Sequence, residues 1–559
     1  KTITVLIAKQ GQKGTAIYLK TANIALLRSI SGCKLRGSRL AGSAVSLNTA
    51  GLPRVIPSGF RARIRGGDVA VIRLYLGLFT LYRVLDYRGK FKLSTITDPG
   101  VDLSREYLDR WSAFIRGPFL SMLGNFGVKR LVPELWWFNP RTKEDEVADY
   151  DYKKSGRTWW RLPYLGDLCV RFIIGTSGPN SRTVKKEKEI SSLDPSKTGV
   201  KSWVATSSTT LLNDAVAWLS RRNIWGDGLL AELKGLALMS GCEKITAGKP
   251  WELAEEYLAY VRSVQMSWAS WPAIKARRDS HAEGSRGEEM ERSETKLGKI
   301  GVREEPGKLR LFAMVDCYTQ WILYPLHKFL YNQLAKIPQD GTFNQVKPVK
   351  DLVGRCKEKG VRRVYSFDLS AATDRIPVVL QEKLLAAFTM PAYASCWRAV
   401  LCNRWYHLPA SFTKTFGKAV SAVKYAVGQP MGALSSWAML AMTHHAIVQW
   451  AAYRVGYREW FTEYAVLGDD VAIASCDVAA EYRVIMKEIG VEIGFNKSIL
   501  SDNLSLEFAK RFFYKGKEVT PFPLLGAAVG WLGVSFVPEV IRACEGLTGA
   551  TASAFQIMR

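Results

Sequence analysis

The sequence predicts an α+β protein, on the evidence of its length, its hydrophobic content and the order of its short elements. The chain has 559 residues, of which 47% are hydrophobic, so it can bury a large core without metal or disulfide crosslinks. Past residue 300, short runs with the composition of β-strands alternate with apolar helical segments. Helices and strands are therefore expected together.

The elements can be placed in order along the chain. Residues 71–86 have the apolar spacing of an amphipathic helix, and residues 91–100 have the composition of a strand followed by a turn. Residues 363–367 predict a strand that ends at Asp368. Residues 464–474 predict a β-hairpin, because two apolar runs flank a short polar turn.

The net charge points to a polyanionic partner. The chain has 78 Lys and Arg against 51 Asp and Glu, a formal charge of +27. Residues 1–67 contain twelve Lys or Arg and no acidic residue, which is typical of transit peptides and of chain that lies along a phosphate backbone. Apolar runs within that segment favour folded chain. Nucleic acid is the leading partner class, and an anionic membrane surface is the second.

Cysteine spacing and hydropathy argue against several other classes. The nine cysteines are never spaced as CxxC and are accompanied by five histidines, so neither a zinc site nor a disulfide framework is supported. The long uncharged stretches 425–453 and 519–538 contain glycines and prolines, or a histidine pair, and suit buried core better than a bilayer. No transmembrane segment is expected.

Acidic residues cluster at two predicted strand ends. Asp368 ends one strand, and Asp469 and Asp470 form the tip of the predicted hairpin. A solvated turn would explain the pair alone, but together the three acids offer the hard oxygen ligands that Mg²⁺ prefers. Two such ions can activate an attacking hydroxyl and stabilise a leaving phosphate oxygen, so the pattern favours phosphoryl transfer.

Three blocks also resemble a known family. Residues 364–377 resemble motif A of viral RNA-dependent RNA polymerases, residues 428–437 resemble motif B, and residues 466–470 resemble motif C, in that order. The amino-acid sequences of these blocks, together with residues 443–445 and 92–99, resemble those of mitovirus polymerases. The mitoviruses are relatives of the narnaviruses. The resemblance covers most of the chain.

The resemblance implies roles for the acidic residues. Asp368 and Asp469 would be the main ligands of two catalytic Mg²⁺ ions, with Asp470 assisting and Mn²⁺ as an alternative ion. Asp374 would help to recognise the ribose 2′-hydroxyl of the incoming nucleotide, or would serve the N-terminus of a helix. Many viral polymerases also place an Asn in motif B where this chain has Leu440, so the reading of the 2′-hydroxyl is left open.

Other motifs imply contacts to nucleotide and RNA. Gly432 would give the motif B loop its backbone freedom, and Ser436 would offer a hydroxyl to template or nucleotide. Residues 303–311 resemble the basic motif F, in which Lys308 and Arg310 would face the triphosphate from one strand face, unless they form a solvated basic strand.

The last two motifs are basic. Lys497, in a segment that resembles motif D, would protonate the leaving pyrophosphate or remain a surface lysine. Lys510 and Arg511, in the motif E region, would hold the primer or product strand. No carboxylate or cysteine stands at metal-ligand spacing from His444 and His445, so packing or polar core roles are expected for both histidines.

The resemblance implies a right-hand polymerase with an antiparallel palm sheet packed on helices and a largely helical N-terminal region. The expected division is residues 1–230 as N-terminal region and fingers extension, 231–360 as fingers with motif F, 361–390 as palm with motif A, 391–424 as a fingers insertion, 425–515 as palm with motifs B to E, and 516–559 as a small or truncated thumb.

The expected function is replication of a positive-strand viral RNA genome by two-metal nucleotidyl transfer. The partners would be a single-stranded RNA template, the nascent RNA and nucleoside triphosphates, while membrane association and oligomeric state are left open. The resemblance implies the host mitochondrion, with the cytoplasm as the alternative. Two other functions compete: a reverse transcriptase, against which Leu467-Gly468 before the acidic pair argues, and a non-catalytic RNA-binding protein that retains a genome.

Overall fold

The computed structural model combines helices with mainly antiparallel sheets, which confirms the α+β class. The structure describes residues 2–33, 39–40, 43–85, 92–139, 144–147, 158–168, 228–242, 296–305, 308–409, 420–495 and 497–521, with isolated positions at 87, 89, 179, 214 and 217–218.

Fifteen α-helices are described in these ranges. They are α1 Thr2–Ile30, α2 Ser58–Arg65, α3 Val69–Thr80, α4 Ser94–Thr97, α5 Arg105–Phe114, α6 Leu120–Gly124, α7 Pro163–Asp167, α8 Gly228–Met239, α9 Cys317–Leu334, α10 Lys347–Glu358, α11 Ala372–Arg375, α12 Val378–Phe388, α13 Pro391–Cys402, α14 Ser436–Arg454 and α15 Cys476–Glu488. A 3₁₀ turn at Leu81–Arg83 follows α3, and a π-helical turn at Ile115–Phe119 follows α5.

The strands form five small sheets. They are β1 Arg39–Leu40, β2 Ser43–Ala44, β3 Glu134–Asn139, β4 Glu144–Val147, β5 Thr158–Arg161, β6 Gly298–Glu305, β7 Lys308–Val315, β8 Val364–Asp368, β9 Tyr406–His407, β10 Ala422–Val423, β11 Tyr464–Leu467, β12 Asp470–Ile473, β13 Ile499–Ser501, β14 Leu506–Phe508, β15 Arg511–Tyr514 and β16 Lys517–Glu518. The sheet orders are β1-β2, β4-β3-β5, β10-β9-β6-β7, β11-β12-β8-β13 and β14-β15-β16.

Two of the predicted N-terminal elements have different outcomes. The helix expected over residues 71–86 forms as α3 and the turn after it, and Asp68 caps α3 by accepting from the N–H groups of Ala70 and Val71. The strand expected within residues 91–100 is wrong, since Ser94–Thr97 is the short helix α4. Tertiary docking overrides the β-branched composition here, because Ile96 is buried in the core.

The sheet β11-β12-β8-β13 is antiparallel throughout and has two different faces. On one face, Phe367 of β8 stacks on Tyr482 of α15 with ring centroids 5.5 Å apart, within the main hydrophobic core. Because side chains alternate along a strand, Asp368 and its cross-strand partner Asp470 lie on the other face. The β14-β15 hairpin contacts β8 and β12.

The helices α1 and α3 pack against the end of this sheet. Residues of α1 and α3 share a second hydrophobic core with Ile499 of β13 and Phe512 of β15. The connection is also polar, because the Asn503 side-chain amide donates to the Ile30 carbonyl at 2.7 Å. We call residues 2–85 the N-terminal unit.

Among the helices that the structure describes, none has both the length and the apolar run needed to cross a bilayer. Six of the described cysteines are free, whereas Cys242 is disulfide-bonded, a bond that the scattered spacing did not predict.

Candidate active site

Two of the predicted acidic residues are direct neighbours across the sheet. Asp368 is the last residue of β8, and Asp470 is the first residue of β12, and the antiparallel register pairs them. Paired residues project to the same face with their Cβ atoms about 4.5–5.5 Å apart, so two carboxylates share one small volume. The sequence predicted both strand ends, and the structure brings them together.

The third acidic residue lies on the turn that joins β11 to β12. Leu467 pairs with Asp470, which leaves Gly468 and Asp469 as a two-residue loop. Gly468 has φ +57°, and a Cβ there would lie 2.3 Å from the Trp437 ring. Glycine is therefore required by both conformation and space, and Asp469 is held exposed at the tip.

A buried histidine forms a hydrogen bond to the same turn. Nδ1 of His444 lies 2.7 Å from the Gly468 carbonyl oxygen, and Nε2 lies 2.8 Å from the Tyr482 hydroxyl. Burial lowers the pKa of His444 to about 4, so the ring is neutral near pH 7. Because a carbonyl only accepts, Nδ1 carries the proton and Nε2 accepts from Tyr482. The turn is thereby tied to α14 and α15.

The neighbouring histidine binds a different element. Nδ1 of His445 lies 2.8 Å from the Tyr464 hydroxyl, and Nε2 lies 3.0 Å from Oδ2 of Asp340. The loop around Asp340 lies beside β11, where the Gly341 N–H donates to the Val466 carbonyl. The polar core role expected for both histidines is confirmed, and the loop at Asp340 and Gly341 forms part of the support for β11.

Two carboxyl groups near the site have raised pKa values. Burial, aided by the charges of Asp469 and Asp368, raises the pKa of Asp470 to about 7. Burial, with Asp470 and Asp368 nearby, raises the pKa of Glu507 on β14 to about 8. Clustered carboxylates that lose water favour protonation until cations compensate them. The sequence predicted no role for Glu507, because it is separated from the other acidic residues and stands beside a basic pair in the motif E region.

Lys497 lies directly on the site. Its Nζ is 2.6 Å from Oδ2 of Asp368, and both side chains are partly exposed. The turn that presents it is tied to β8, because the Gly494 N–H donates to the Asp368 carbonyl and the Asp368 N–H donates to Ser498 Oγ. The predicted motif D lysine is therefore brought to the motif A carboxylate.

The two basic residues of the motif E region, Lys510 and Arg511, lie in different surroundings. Lys510 lies exposed on the two-residue turn between β14 and β15. The N–H of the preceding Ala509 faces the Asp470 carboxyl, where it opposes the rise in pKa that burial causes. Arg511 instead forms an ion pair with Glu518, with Nη1 2.6 Å from Oε1. Lys510 is close to the acidic cluster, and Arg511 is engaged elsewhere in the small sheet.

The motif B residues form a tight loop against β7. Gly432 has φ +119°, and a Cβ there would lie 2.3 Å from the Ala313 carbonyl oxygen. The Ala313 N–H donates to the Met431 carbonyl at 2.6 Å, which fixes the loop to the strand. Ser436 is the first residue of α14 and is only 3% exposed. Gly432 thus occupies a conformation and a space that only glycine tolerates, and the freedom expected of it and its part in substrate binding stay predictions.

The remaining predicted residues lie on neighbouring elements. Lys308 and Arg310 are on β7, where Arg310 is exposed, and only the backbone of Lys308 is described. Asp374 lies on α11, and its carbonyl accepts from the Gly428 N–H at 2.9 Å, which joins motif A to motif B. Their contacts to nucleotide stay predictions.

The donor chemistry fits a divalent cation, although the side chains are not arranged around one point. The described ranges contain no group of three or more His, Cys, Asp or Glu side chains in a metal-holding arrangement. Asp368 and Asp470 are nevertheless cross-strand neighbours with Asp469 on the adjoining turn, so carboxylate oxygens of the kind that Mg²⁺ prefers lie on adjoining positions.

A pocket opens beside these carboxylates. From the sheet and the adjoining hairpin it is lined by Asp368, Asp470, Lys497 and Glu507, and from the N-terminal unit by residues of α1 and of the turn after α3. Sequence reasoning missed this second wall. The excess of Lys and Arg over residues 1–67 was its only signal.

Comparisons with known proteins agree with the motifs. A sequence model of the family described as mitovirus RNA-dependent RNA polymerase matches residues 231–540. The RNA-directed RNA polymerase of Cryphonectria parasitica mitovirus 1 is 42% identical over 223 residues, which are 40% of this chain and 26% of that protein. The chain thus matches about a quarter of the length of that relative.

Plant mitochondrial proteins are also similar. Two uncharacterised mitochondrial proteins of Arabidopsis thaliana are 41% identical over 192 residues and 40% identical over 167 residues, which cover 34% and 30% of this chain and 73% and 77% of those proteins. A crystal structure of the RNA-dependent RNA polymerase of a human picorbirnavirus aligns with a TM-score of 0.32 and 14% identity, over 40% of this chain and 45% of that chain, a likeness too small to define the fold.

Proposed function

Because the chain belongs to the mitovirus RNA-dependent RNA polymerase family, we propose that it extends an RNA strand on an RNA template by nucleotidyl transfer and so replicates a positive-strand viral RNA. The observation that carries this proposal is the direct cross-strand pairing of Asp368 with Asp470 beside the Asp469 turn. The substrates would be a single-stranded RNA template, the nascent strand and nucleoside triphosphates.

The carboxylates would hold two Mg²⁺ ions, or Mn²⁺ in their place. Asp368 and Asp469 would be the main ligands, and Asp470 would complete the site once it loses its proton. When bound, the two ions activate the attacking 3′-hydroxyl and stabilise charge on the α-phosphate and the leaving pyrophosphate.

The protein's own side chains would orient the substrates. Lys497 lies 2.6 Å from Asp368, so a cation at Asp368 would displace its ammonium group toward the leaving pyrophosphate, where it can donate a proton. Arg310 and Lys308 on β7 would bind the triphosphate, and Asp374 would read the ribose near the motif B loop. Lys510 would contact a strand phosphate, because it is exposed beside Asp470.

The architecture would be that of a right-handed polymerase. The sheet β11-β12-β8-β13 with α14 and α15 would be the palm, and the sheet that contains β6 and β7 would belong to the fingers. Of the segment expected as thumb, residues 522–559 lie outside the described residues. The other expected domain boundaries stay part of the proposal.

The proposed place of action is the host mitochondrion. Family membership and two plant relatives with mitochondrial names support it. Fractionation of infected cells would test it, since recovery of the polymerase in the cytosol alone would favour the cytoplasmic alternative.

Nucleotide choice is the test of the proposed reaction. The purified protein is given a primed RNA template, Mg²⁺ and labelled ribonucleotides or deoxyribonucleotides, and the products are resolved by length. Templated ribonucleotide incorporation is expected. Preference for deoxyribonucleotides would establish a reverse transcriptase, and salt-sensitive RNA binding without synthesis would favour the genome-retention protein.

A further inference from the structure

The catalytic pocket has a wall that comes from outside the region matched by the family model. That match begins at residue 231, whereas Lys20, Asn23 and Arg28 of α1 line the same pocket as Asp368 and Asp470. Tyr82 and Arg83, on the turn after α3, line it too. The N-terminal unit therefore reaches the proposed site of chemistry.

This wall carries two buried polar atoms that lack partners. Asn23 is only 7% exposed, and its Oδ1 has no hydrogen-bond partner among the described residues. The Nε atom of Arg28 is also buried and, within the same ranges, has none. Unpartnered buried polar atoms are rare in folded proteins, so a pocket lined by both favours a ligand that supplies a donor and an acceptor.

The wall is also cationic. Arg28 uses Nη2 to hold the Phe495 carbonyl at 2.7 Å, and Arg83 uses Nε to contact the Tyr82 hydroxyl at 3.3 Å. Neither arginine forms an ion pair with a described carboxylate, although Asp368, Asp470 and Glu507 line the same pocket. Burial raises the pKa of Glu507, and the charge of Arg83 opposes that rise, so Arg83 lies near an acidic group without being paired to it. Both guanidinium groups can therefore still contact an anion in the pocket.

We propose that this wall binds the RNA strand whose 3′ end lies at Asp368 and Asp470, with Arg28 and Arg83 on its phosphates and the Asn23 Oδ1 accepting from a ribose hydroxyl. This inference rests on the proposed polymerase function, because that reaction places a 3′-hydroxyl at the carboxylates. A ribose hydroxyl supplies the donor that Asn23 lacks, and a phosphodiester oxygen supplies the acceptor that Arg28 lacks.

The triphosphate of the incoming nucleotide has the same phosphate chemistry, so the experiment must separate the two sources. Dissociation constants for a primer–template RNA are measured without nucleotides over a salt series, and the KM for ribonucleotides is measured separately. The parent is compared with Arg28→Met and with Arg65→Met, a matched control on the exposed surface of α2 in the same unit.

Arg28→Met should weaken RNA binding about fivefold or more and reduce the salt slope by about one, as expected for the loss of one phosphate contact. The KM for ribonucleotides should stay within about twofold of the parent, and Arg65→Met should match the parent in both assays. A raised KM with unchanged RNA affinity would assign the phosphate to the nucleotide and overturn the proposal.

A second pair of variants is needed if Arg28→Met lowers the melting temperature, because that substitution also removes the contact to Phe495. Arg83→Met removes a cation that makes no such contact and should also weaken RNA binding. Asn23→Leu should reduce the preference for an all-ribose primer over one with 2′-deoxy residues at its 3′ end. Parent-like behaviour of both variants would overturn the proposal.

The two proposals fail separately. A parent protein that binds primed RNA and loses affinity on Arg28→Met, yet makes no RNA, would contradict the polymerase function and keep the binding wall. A parent protein that makes RNA while both arginine variants bind RNA normally would contradict only the wall.

Discussion

Two β-hairpin turns meet at the candidate site, and they are built in opposite ways. The turn at Gly468 and Asp469 is acidic, whereas the turn at Ala509 and Lys510 is basic. In the acidic turn the left-handed residue is a glycine, while in the basic turn Ala509 and Lys510 have φ of +52° and +63° without glycine. Each turn ends on an exposed charge, Asp469 or Lys510, but the residue before that charge is buried in the first turn (Gly468) and half-buried in the second (Ala509).

The two turns should therefore differ in how well they tolerate substitution. The Trp437 ring and the His444 Nδ1–H fix the acidic turn, so its geometry depends on surrounding side chains. The basic turn accepts backbone strain of about 1–2 kcal/mol per residue, a cost that the rest of the fold must offset. Disturbing the acidic turn should impair chemistry, whereas disturbing the basic turn should affect RNA binding and stability.

Gly468→Ala should have the largest effect of the variants that compare the turns. The new Cβ would meet the Trp437 ring and would occupy a left-handed conformation that costs about 1–2 kcal/mol. We expect RNA synthesis to fall at least about thirtyfold through a displaced Asp469, measured as ribonucleotide incorporation at saturating substrate.

Ala509→Gly is the matched change in the other turn. It relieves a left-handed alanine, so the melting temperature should stay or rise, and synthesis should stay within about threefold of the parent. Equal losses of activity in the two variants would contradict the contrast between the turns.

His444→Phe should reduce turnover about tenfold, because it keeps an aromatic ring but leaves the Gly468 carbonyl without its donor. His444→Asn, which can place an N–H at a similar position, should recover part of the loss. The measurement is kcat with the apparent Mg²⁺ constant at matched folding. Identical kcat and Mg²⁺ dependence in parent and His444→Phe would show that the hydrogen bond does not position the turn.

The pH dependence of Mg²⁺ binding should report on Asp470. Its pKa is raised to about 7, so the folded protein favours the protonated carboxyl, and this contribution to stability is complete at low pH and is lost as pH rises through 7. Mg²⁺ needs the carboxylate, so its apparent dissociation constant should fall about tenfold between pH 6 and pH 8.

The same linkage predicts a stability change. Without Mg²⁺ the melting temperature should fall from pH 6 to pH 8. Adding Mg²⁺ should raise the melting temperature more at pH 8 than at pH 6. Asp470→Asn should flatten the Mg²⁺ profile and reduce the fall in melting temperature, and the part of that fall that remains is expected from Glu507, whose pKa burial raises to about 8. An unchanged Mg²⁺ profile in Asp470→Asn would assign the titration to another group.

Lys510→Gln should have the smallest effect. Its exposed ammonium group is proposed to make one phosphate contact, so RNA affinity should fall about two- to fivefold and the salt slope should decrease by about one, with kcat little changed. Arg511→Gln is the comparison, because Arg511 is paired with Glu518. The Arg511→Gln substitution should lower the melting temperature while changing the RNA affinity little. The reverse ranking would mean that Arg511 leaves Glu518 to bind RNA.

Local sequence predicted well the strands that carry the acidic residues. The strand before Asp368 and the hairpin around Asp469 follow from short apolar runs bounded by turn residues, which depend on neighbouring positions only. The direct pairing of Asp368 with Asp470 was suggested only by the gathering of acidic residues, since register is fixed by tertiary packing.

Long-range contacts explain what the sequence did not predict. Glu507, Tyr482 and Asp340 enter the surroundings of the site from separate elements, and no local spacing relates them to the motifs. The failed strand at residues 94–97 has the same origin, because docking of Ile96 into the core determined the local conformation. The wall formed by α1 required the fold itself.

Metal-dependent RNA synthesis is proposed to depend on Asp469 at the tip of the acidic turn. The most direct measurement is Mg²⁺-dependent ribonucleotide incorporation on a primed RNA template by the parent and Asp469→Asn, at matched melting temperature. Asp477→Asn, an exposed acidic residue in the first turn of α15, is the control. We predict a loss of at least about a hundredfold for Asp469→Asn and parent-like activity for Asp477→Asn. Equal activity in the parent and Asp469→Asn would contradict the account.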